Sequence, residues 1–149
     1  MFAGGLTESA YHTYRAWMDI FLQIPSTASD KHIREQIHRG FPAAAVVTLF
    51  DSGAIDSSTR DRIIPLRTLN RRLTQSQRLT HDESGRLFRV SHIIALAQAL
   101  FNDPEKATRW LAKPKGSLSG STPLAMLATP LGMRAVEEML VRIGEGFAF

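Results

Sequence analysis

The chain has 149 residues, of which 44% are apolar and 21% charged, so it can bury a core of its own and has the composition of a soluble globular protein. Cysteine is absent, which excludes disulfide frameworks, cysteine zinc sites and thiol nucleophiles, and which fits a reducing cytoplasm. The net charge is +4, no apolar run reaches the about 20 residues of a membrane helix, and the first residues lack the basic segment of a signal peptide, so we expect a cytoplasmic protein that does not enter a membrane.

The first predicted element is an amphipathic helix over about residues 7–23. Its apolar stripe follows the helical spacing i, i+3, i+4 and i+7 and consists of Tyr14, Trp17, Met18 and Phe21. Thr7 is its candidate N-cap. This helix could serve as a dimer arm, as a packing element of the core or as a protease-sensitive extension.

Two further helices are predicted before the middle of the chain. The first covers about residues 30–39, and either Ser29 or Asp30 could cap it. The second covers the apolar segment 43–50. Residues 45–49 could also form a strand, but their alanine content and the lack of a partner strand favour the helix.

The middle of the chain carries all of the excess positive charge. Residues 60–89 hold eight arginines against three acidic residues, a net charge of +5, whereas residues 1–59 carry −2 and residues 90–149 carry +1. Because arginine binds phosphate and guanine through two parallel hydrogen bonds, such a cluster is typical of nucleic-acid binding. A solvated helical face with scattered ion pairs would give the same charge count.

Within this segment, short helices over about 58–63 and 66–73, joined by a tight connection at Pro65, predict a helix-turn-helix motif. On the second helix the spacing predicts an inward-facing seam formed by Leu66, Leu69 and Leu73. The outward-facing or flanking positions, which would contact DNA bases and phosphates, are Arg67, Thr68, Asn70, Arg71 and Arg72. An ordinary surface helix remains the alternative on pattern alone.

A long helix is predicted over about 83–101, with Asp82 as its N-cap. Leu87, Val90, Ile94, Ala97 and Phe101 form its apolar stripe, and His92 lies opposite that stripe, so we expect His92 to be exposed.

The last third contains three helix starts in which a capping side chain precedes proline: Asp103-Pro104, Thr122-Pro123 and Thr129-Pro130. Residues 113–121 predict an irregular loop between the first two, and Gly144 is expected to end the last helix. The fold class predicted for the whole chain is all-α.

Enzymatic motifs are absent from the sequence. None of the five histidines forms an i,i+4 pair, and no phosphate-binding glycine loop or nucleophile elbow is present. Glu137 and Glu138 are adjacent, so they point in different directions on a helix. We therefore expect a protein that is not an enzyme and that needs no cofactor and no metal.

The chain ends in a glycine-flanked aromatic tail containing Phe147 and Phe149. These side chains could fold back onto the core of their own chain. Alternatively, they could dock into a pocket of a partner, where aromatic anchors dominate affinity.

The C-terminal third closely resembles the Xre/MbcA/ParS family of antitoxins. The matching residues are Phe101-Asn102-Asp103-Pro104-Glu105-Lys106-Ala107-Thr108-Arg109-Trp110-Leu111, Lys113-Pro114, Leu118-Ser119-Gly120, Thr122-Pro123-Leu124, Leu127-Ala128-Thr129, Gly132, Val136, Leu140 and Arg142-Ile143-Gly144. The middle is similar to the helix-turn-helix of the same family at Arg67-Thr68-Leu69-Asn70-Arg71-Arg72, Glu83-Ser84 and Arg86-Leu87.

The resemblance implies the antitoxin half of a bacterial type II toxin–antitoxin pair, whose usual partner is a RES-domain toxin that consumes NAD⁺. In the family, the C-terminal domain covers the active-site entrance of the toxin, and the helix-turn-helix dimerises and represses the shared operon. The resemblance places toxin contacts at Trp110, Lys113, Pro114, Pro123, Leu124, Arg142, Gly144, Phe147 and Phe149. It places contacts with operator DNA at Arg67, Thr68, Asn70, Arg71 and Arg72.

The expected organisation is an N-terminal helical extension (1–40), an Xre-like helix-turn-helix domain (41–101) and a small helical toxin-binding domain (102–149), assembled as a homodimer within a complex with the toxin.

The helix-turn-helix departs from the usual pattern at two positions. Thr59 stands where the first helix usually has a small residue, and Ile63 stands where the turn usually has glycine. These departures predict a distorted supporting helix and weakened DNA binding. A stand-alone helix-turn-helix regulator is the alternative function.

Overall fold

The computed structural model describes residues 6–146, which form nine α-helices, one short 3-10 turn and no strand. This confirms the predicted all-α class and places residues 45–49 in a helix. The helices are, in chain order, α1 (Glu8–Leu22), α2 (Asp30–Arg39), α3 (Ala44–Asp51), α4 (Ser57–Ile63), α5 (Leu66–Thr74), α6 (His81–Phe101), α7 (Pro104–Ala112), α8 (Pro123–Met126) and α9 (Pro130–Gly146).

Local capping signals start four of these helices where the sequence predicts. The side-chain oxygens of Thr7, Ser29, Asp103 and Thr122 each accept a hydrogen bond from a backbone N–H in the first turn of the helix that follows. Proline follows Asp103 and Thr122 at the first helical position. A backbone N–H at this position has no acceptor within the helix, so proline, which lacks the N–H, loses no hydrogen bond there.

The prediction that Asp82 caps the long helix is wrong, because the N-cap of α6 is Thr80. The hydroxyl of Thr80 accepts from the backbone N–H of Glu83 at 3.1 Å, and the carboxylate of Glu83 accepts from the backbone N–H of Thr80 at 2.9 Å. This reciprocal pair satisfies two N–H groups that a helix start otherwise leaves free. Asp82 lies inside the first turn, where its charge still favours the helix dipole.

The prediction that Gly144 ends the last helix is also wrong, because α9 continues to Gly146. Gly144 instead lies against a side chain of α6. A Cβ atom added at this position would lie 2.7 Å from Cδ2 of Leu100 near the end of α6. The absence of a side chain at Gly144 therefore leaves room for the side chain of Leu100.

Helix α6 lies at the centre of the described chain. Every residue from Val90 to Ala99 is buried, and α1, α2, α4, α7 and α9 pack around it. A helix that is enclosed on all sides does not show a single apolar stripe. The core around it is continuous and includes Met18 of α1, Leu69 of α5 and Leu140 of α9. The N-terminal helix is therefore a packing element of this core.

Candidate functional site

The connection between α4 and α5 has the tight geometry expected of a helix-turn-helix. The carboxylate of Asp56 caps α4 by accepting from the backbone N–H of Thr59 at 2.8 Å, and the hydrogen bonds from Thr59 lower the pKa of Asp56. Only Ile64 and Pro65 separate the two helices. At the end of α4, Arg86 of α6 donates to the carbonyl oxygen of Ile63 at 2.9 Å. This hydrogen bond satisfies a carbonyl group that has no donor within its own helix.

The two departures from the usual motif are accommodated in the core. Thr59 and Ile63 are each 1% exposed, and α4 is a continuous α-helix through both positions. The supporting helix is therefore not distorted, contrary to the prediction from the sequence.

The predicted inward seam of α5 is wrong at both ends. Only Leu69 is buried, whereas Leu66 is 45% and Leu73 is 38% exposed. The physical reason is that the side chain of Leu69, near the middle of the helix, docks into the core while both ends project beyond it. Leu66 and Leu73 thus share the accessible part of α5 with its polar residues.

Most arginines of residues 60–89 have partners within the described chain. Three of them contact side chains: Arg60 lies over the Phe50 ring and pairs with Asp61, Arg62 donates to Ser58 and Thr59, and Arg72 donates to Glu83 and Gln77. Three donate to backbone carbonyl oxygens: Arg78 to that of Gly40, Arg86 to that of Ile63, and Arg89 to those of Leu127 and Ala128. The side chains of Arg67 and Arg71 are exposed and make no hydrogen bond or ion pair with any residue between 6 and 146. We call these two residues the free arginine pair.

Arg72 faces a carboxylate of its own chain. Its guanidinium donates to both oxygens of Glu83, at 3.1 and 3.2 Å, and the Arg72 side chain is only 16% exposed. Burial acts to raise the pKa of Glu83, but the hydrogen bonds from Arg72 and Thr80 outweigh it and hold that pKa below its ordinary value. The bridge ties the second half of α5 to the first turn of α6.

The remaining predicted DNA contacts are more open to solvent. Asn70 is exposed and Thr68 is half-buried on α5. Together with the free arginine pair, they leave one accessible face of α5 that carries both hydrogen-bond donors and acceptors.

Four of the predicted toxin contacts reach the surface near α7 and α9. Trp110 is half-buried between the Phe101 ring, with centroids 5.9 Å apart, and the Lys115 ammonium, which lies 4.8 Å from the Trp110 ring centre. Lys113, Pro114 and Arg142 are exposed.

The structure places the other predicted toxin contacts differently. Pro123 and Leu124 of α8 are buried in the core, and Gly144 is half-buried against Leu100. Phe147 and Phe149 lie outside the described residues.

The prediction that His92 is exposed is wrong, since its exposed fraction is 1%. Its Nδ1 lies 2.7 Å from the hydroxyl of Tyr14 on α1, and its Nε2 lies 2.5 Å from the carboxylate of Glu137 on α9. Burial raises the pKa of the Tyr14 hydroxyl, so this group keeps its proton and donates to Nδ1, which leaves Nε2–H to donate to Glu137. The Tyr14–His92–Glu137 chain joins three helices. The spacing of apolar residues could not predict it, because α6 is buried on both the side of its apolar stripe and the side that carries His92.

Two classes of site are absent from the described part of the chain. Residues 6–146 contain no group of three or more histidine, aspartate or glutamate side chains placed to hold a metal ion. Over the same residues, no helix combines the length and the apolarity needed to cross a membrane.

Comparison with protein families divides the chain into two matched regions. Residues 32–91 match the model described as the antitoxin Xre-like helix-turn-helix domain, and residues 96–146 match the one described as the antitoxin Xre/MbcA/ParS C-terminal toxin-binding domain. The two regions meet inside α6, and α1 lies outside both.

Curated proteins that the chain resembles carry the name "Antitoxin Xre". The protein from Pseudomonas putida is 49% identical over 147 residues, which cover 99% of this chain and 92% of that protein. The protein from Photorhabdus laumondii subsp. laumondii is 30% identical over 123 residues, covering 80% of this chain and 83% of that protein. The protein from Yersinia enterocolitica is 34% identical over 84 residues, covering 56% of this chain and 57% of that protein.

Proposed function

Because this chain belongs to the family of Xre-type antitoxins, we propose that it neutralises a cognate RES-type, NAD-consuming toxin by covering its active site, and that as a homodimer it represses the operon encoding both proteins. The family consists of binding and regulatory proteins that are not enzymes, and the chain combines its helix-turn-helix domain with its C-terminal toxin-binding domain. The RES-type toxin and the homodimer are the partner and the assembly that the family resemblance implies.

The free arginine pair is the observation that carries the DNA-binding half of the proposal. Arg67 and Arg71 lie one turn apart on α5, and neither side chain is engaged by the described part of the chain. Arginine can bind O6 and N7 of guanine, and Asn70 between them can bind N6 and N7 of adenine. Arg72 would have to leave Glu83 to reach DNA, so we assign it to holding α5 in place.

The toxin-binding half is supported by side chains that α7, the following loop and α9 present to solvent. Trp110, Lys113, Pro114 and Arg142 supply an aromatic ring, a proline and two cations, a composition suited to anchoring a protein partner. The buried Pro123 and Leu124 belong to α8, which packs against both α7 and α9. We include Phe147 and Phe149 of the tail in the proposed contact on the family resemblance.

Co-expression with the RES-type protein encoded in the same operon tests the proposal. The full chain should restore growth and cellular NAD⁺, co-purify with the toxin, and bind its own promoter in a salt-sensitive manner. Deletion of residues 145–149 should abolish neutralisation and leave promoter binding unchanged, since the deleted residues lie outside the helix-turn-helix.

Two results would contradict parts of the proposal. If the truncated chain still restores growth, the tail has no role in neutralisation. If the full chain binds its promoter but neither co-purifies with the toxin nor restores growth, the protein acts as a stand-alone transcriptional regulator.

A further inference from the structure

An apolar cleft of about 510 Å³ opens between α1 and α7, and we call it the α1–α7 cleft. From α1 it is lined by Trp17 and Phe21, whose rings stack with centroids 5.4 Å apart. The opposite wall is formed by Pro104, Glu105, Thr108 and Arg109 of α7, and Gln98 of α6 also lines the cleft. Trp17 is only half-buried, so part of its ring is open to a partner.

Two opposite charges accompany this apolar lining. Glu105 and Arg109 are exposed one turn apart on α7, and neither side chain forms an ion pair or a hydrogen bond with the described residues. An aromatic ring beside an unengaged arginine is the combination that protein interfaces favour for their strongest contacts. An apolar patch with charges at its rim is also the usual anatomy of a transient protein interface.

We propose that the α1–α7 cleft receives an apolar segment of the cognate toxin, so that α1 forms part of the toxin-binding surface. This inference rests on the proposed function. The segment would place an apolar side chain against Trp17, an acidic residue facing Arg109 and a basic residue facing Glu105.

Continuity with the toxin-binding domain identifies the toxin as the occupant. Half of the lining residues, those on α6 and α7, lie within residues 96–146, which match that domain. The other side of the cleft comes from α1, which precedes both matched regions, so α1 would add contacts that the matched domain does not itself supply.

Two substitutions on opposite sides of the cleft test the inference. Thr108→Arg fills the cleft from α7 with a side chain that helices tolerate well, and Trp17→Ala removes the aromatic surface from α1. Ala16→Arg is the matched control for the first, because it adds the same charge to α1 at an exposed position that does not line the cleft. The readouts are the Kd for the purified operon-encoded toxin, the melting temperature and promoter binding.

The expected result is an about tenfold rise in Kd for both cleft variants, with Ala16→Arg binding as the wild type does. Promoter binding should stay unchanged in all three variants, since no lining residue belongs to α5. The melting temperature of Thr108→Arg should also stay unchanged, which separates loss of the cleft from loss of the fold.

Unchanged toxin affinity in Thr108→Arg would overturn the inference while leaving the proposed function intact. The inference would also be overturned if the cleft variants, in the absence of toxin, sediment differently from the wild type but keep their toxin affinity. That result would assign the cleft to contact between two copies of this chain. Failure of the wild-type chain to bind the toxin would overturn the proposed function and this inference together.

Discussion

Arg67 and Arg71 differ from the other arginines of residues 60–89 in what surrounds their guanidinium groups. Arg78, Arg86 and Arg89 donate to backbone carbonyl oxygens of other segments, so their charges also serve as structural hydrogen-bond donors. At the scale of single residues, the local net charge of +5 therefore overstates the positive charge that is free to meet DNA.

Arg71→Ala should weaken binding to the operator and lower the slope of log K against log salt by about 1, because one phosphate or guanine contact is lost. Arg142→Ala is the matched control, since it removes the same charge from an exposed position on α9. Filter binding or fluorescence anisotropy over a salt series measures both. Equal slopes for wild type and Arg71→Ala would remove Arg71 from the DNA contact.

At the scale of elements, α5 is held by few interactions. Leu69 is its one buried side chain, and the bridge from Arg72 to Glu83 fixes its second half to α6. Because Glu83 also completes the capping box with Thr80, one carboxylate both starts α6 and orients α5. The ionisation of this one side chain therefore contributes both to the start of α6 and to the orientation of α5.

Glu83→Gln should lower the free energy of unfolding at pH 7 by about 1–2 kcal/mol, because hydrogen bonds to a charged group are lost. The folded-state pKa of Glu83 is depressed, so its contribution is complete above its ordinary value of 4.5 and is lost as the pH falls through the lower folded value. The difference between variant and wild type should therefore narrow below about pH 4.5.

Urea denaturation from pH 7 to pH 3 measures this difference. Glu138→Gln, the same chemical change at an exposed position of α9, should leave the free energy of unfolding nearly unchanged. A gap between Glu83→Gln and wild type that stays constant across this pH range would show that the charge of Glu83 does not stabilise the fold.

At the scale of the whole molecule, the Tyr14–His92–Glu137 chain links the N-terminal helix, the central helix and the last helix through two buried polar side chains, Tyr14 and His92, and the half-buried Glu137. His92 also stacks on Phe88, with parallel rings 5.9 Å apart, so its ring is fixed by packing as well as by hydrogen bonds. Removing the ring leaves the Tyr14 hydroxyl buried without its partner, which costs more than the hydrogen bond itself contributes.

His92→Leu should lower the free energy of unfolding by about 2–4 kcal/mol, and Tyr14→Phe by about 1–2 kcal/mol. Because the two residues share one hydrogen bond, the double variant should be less destabilised than the sum of the single variants. Thermal or urea unfolding of the four proteins gives the coupling, with His12→Leu at an exposed position of α1 as the control. Additive effects would mean that the hydrogen bond does not contribute to stability.

The sequence predicted the features that depend on neighbouring residues. Thr7, Asp103 and Thr122 cap their helices because capping needs only a side chain and the next three N–H groups. The burial of His92 and the exposure of Leu66 depend on how many helices surround α6 and α5. Such packing between distant segments leaves no spacing pattern in the chain, and the same holds for the α1–α7 cleft.

The position of the central helix limits how the two matched regions can be exchanged between related proteins. The region that matches the DNA-binding family and the region that matches the toxin-binding family meet at residues 91–96, in the middle of α6, where every residue is buried. Recombination between two relatives at this point would join half of α6 from one protein to the other half from another, and the side chains of each half already fit the neighbours in their own protein. Exchanging either half with that of a relative therefore requires repacking the core, so a change of toxin partner is more readily reached by point substitution than by module swapping.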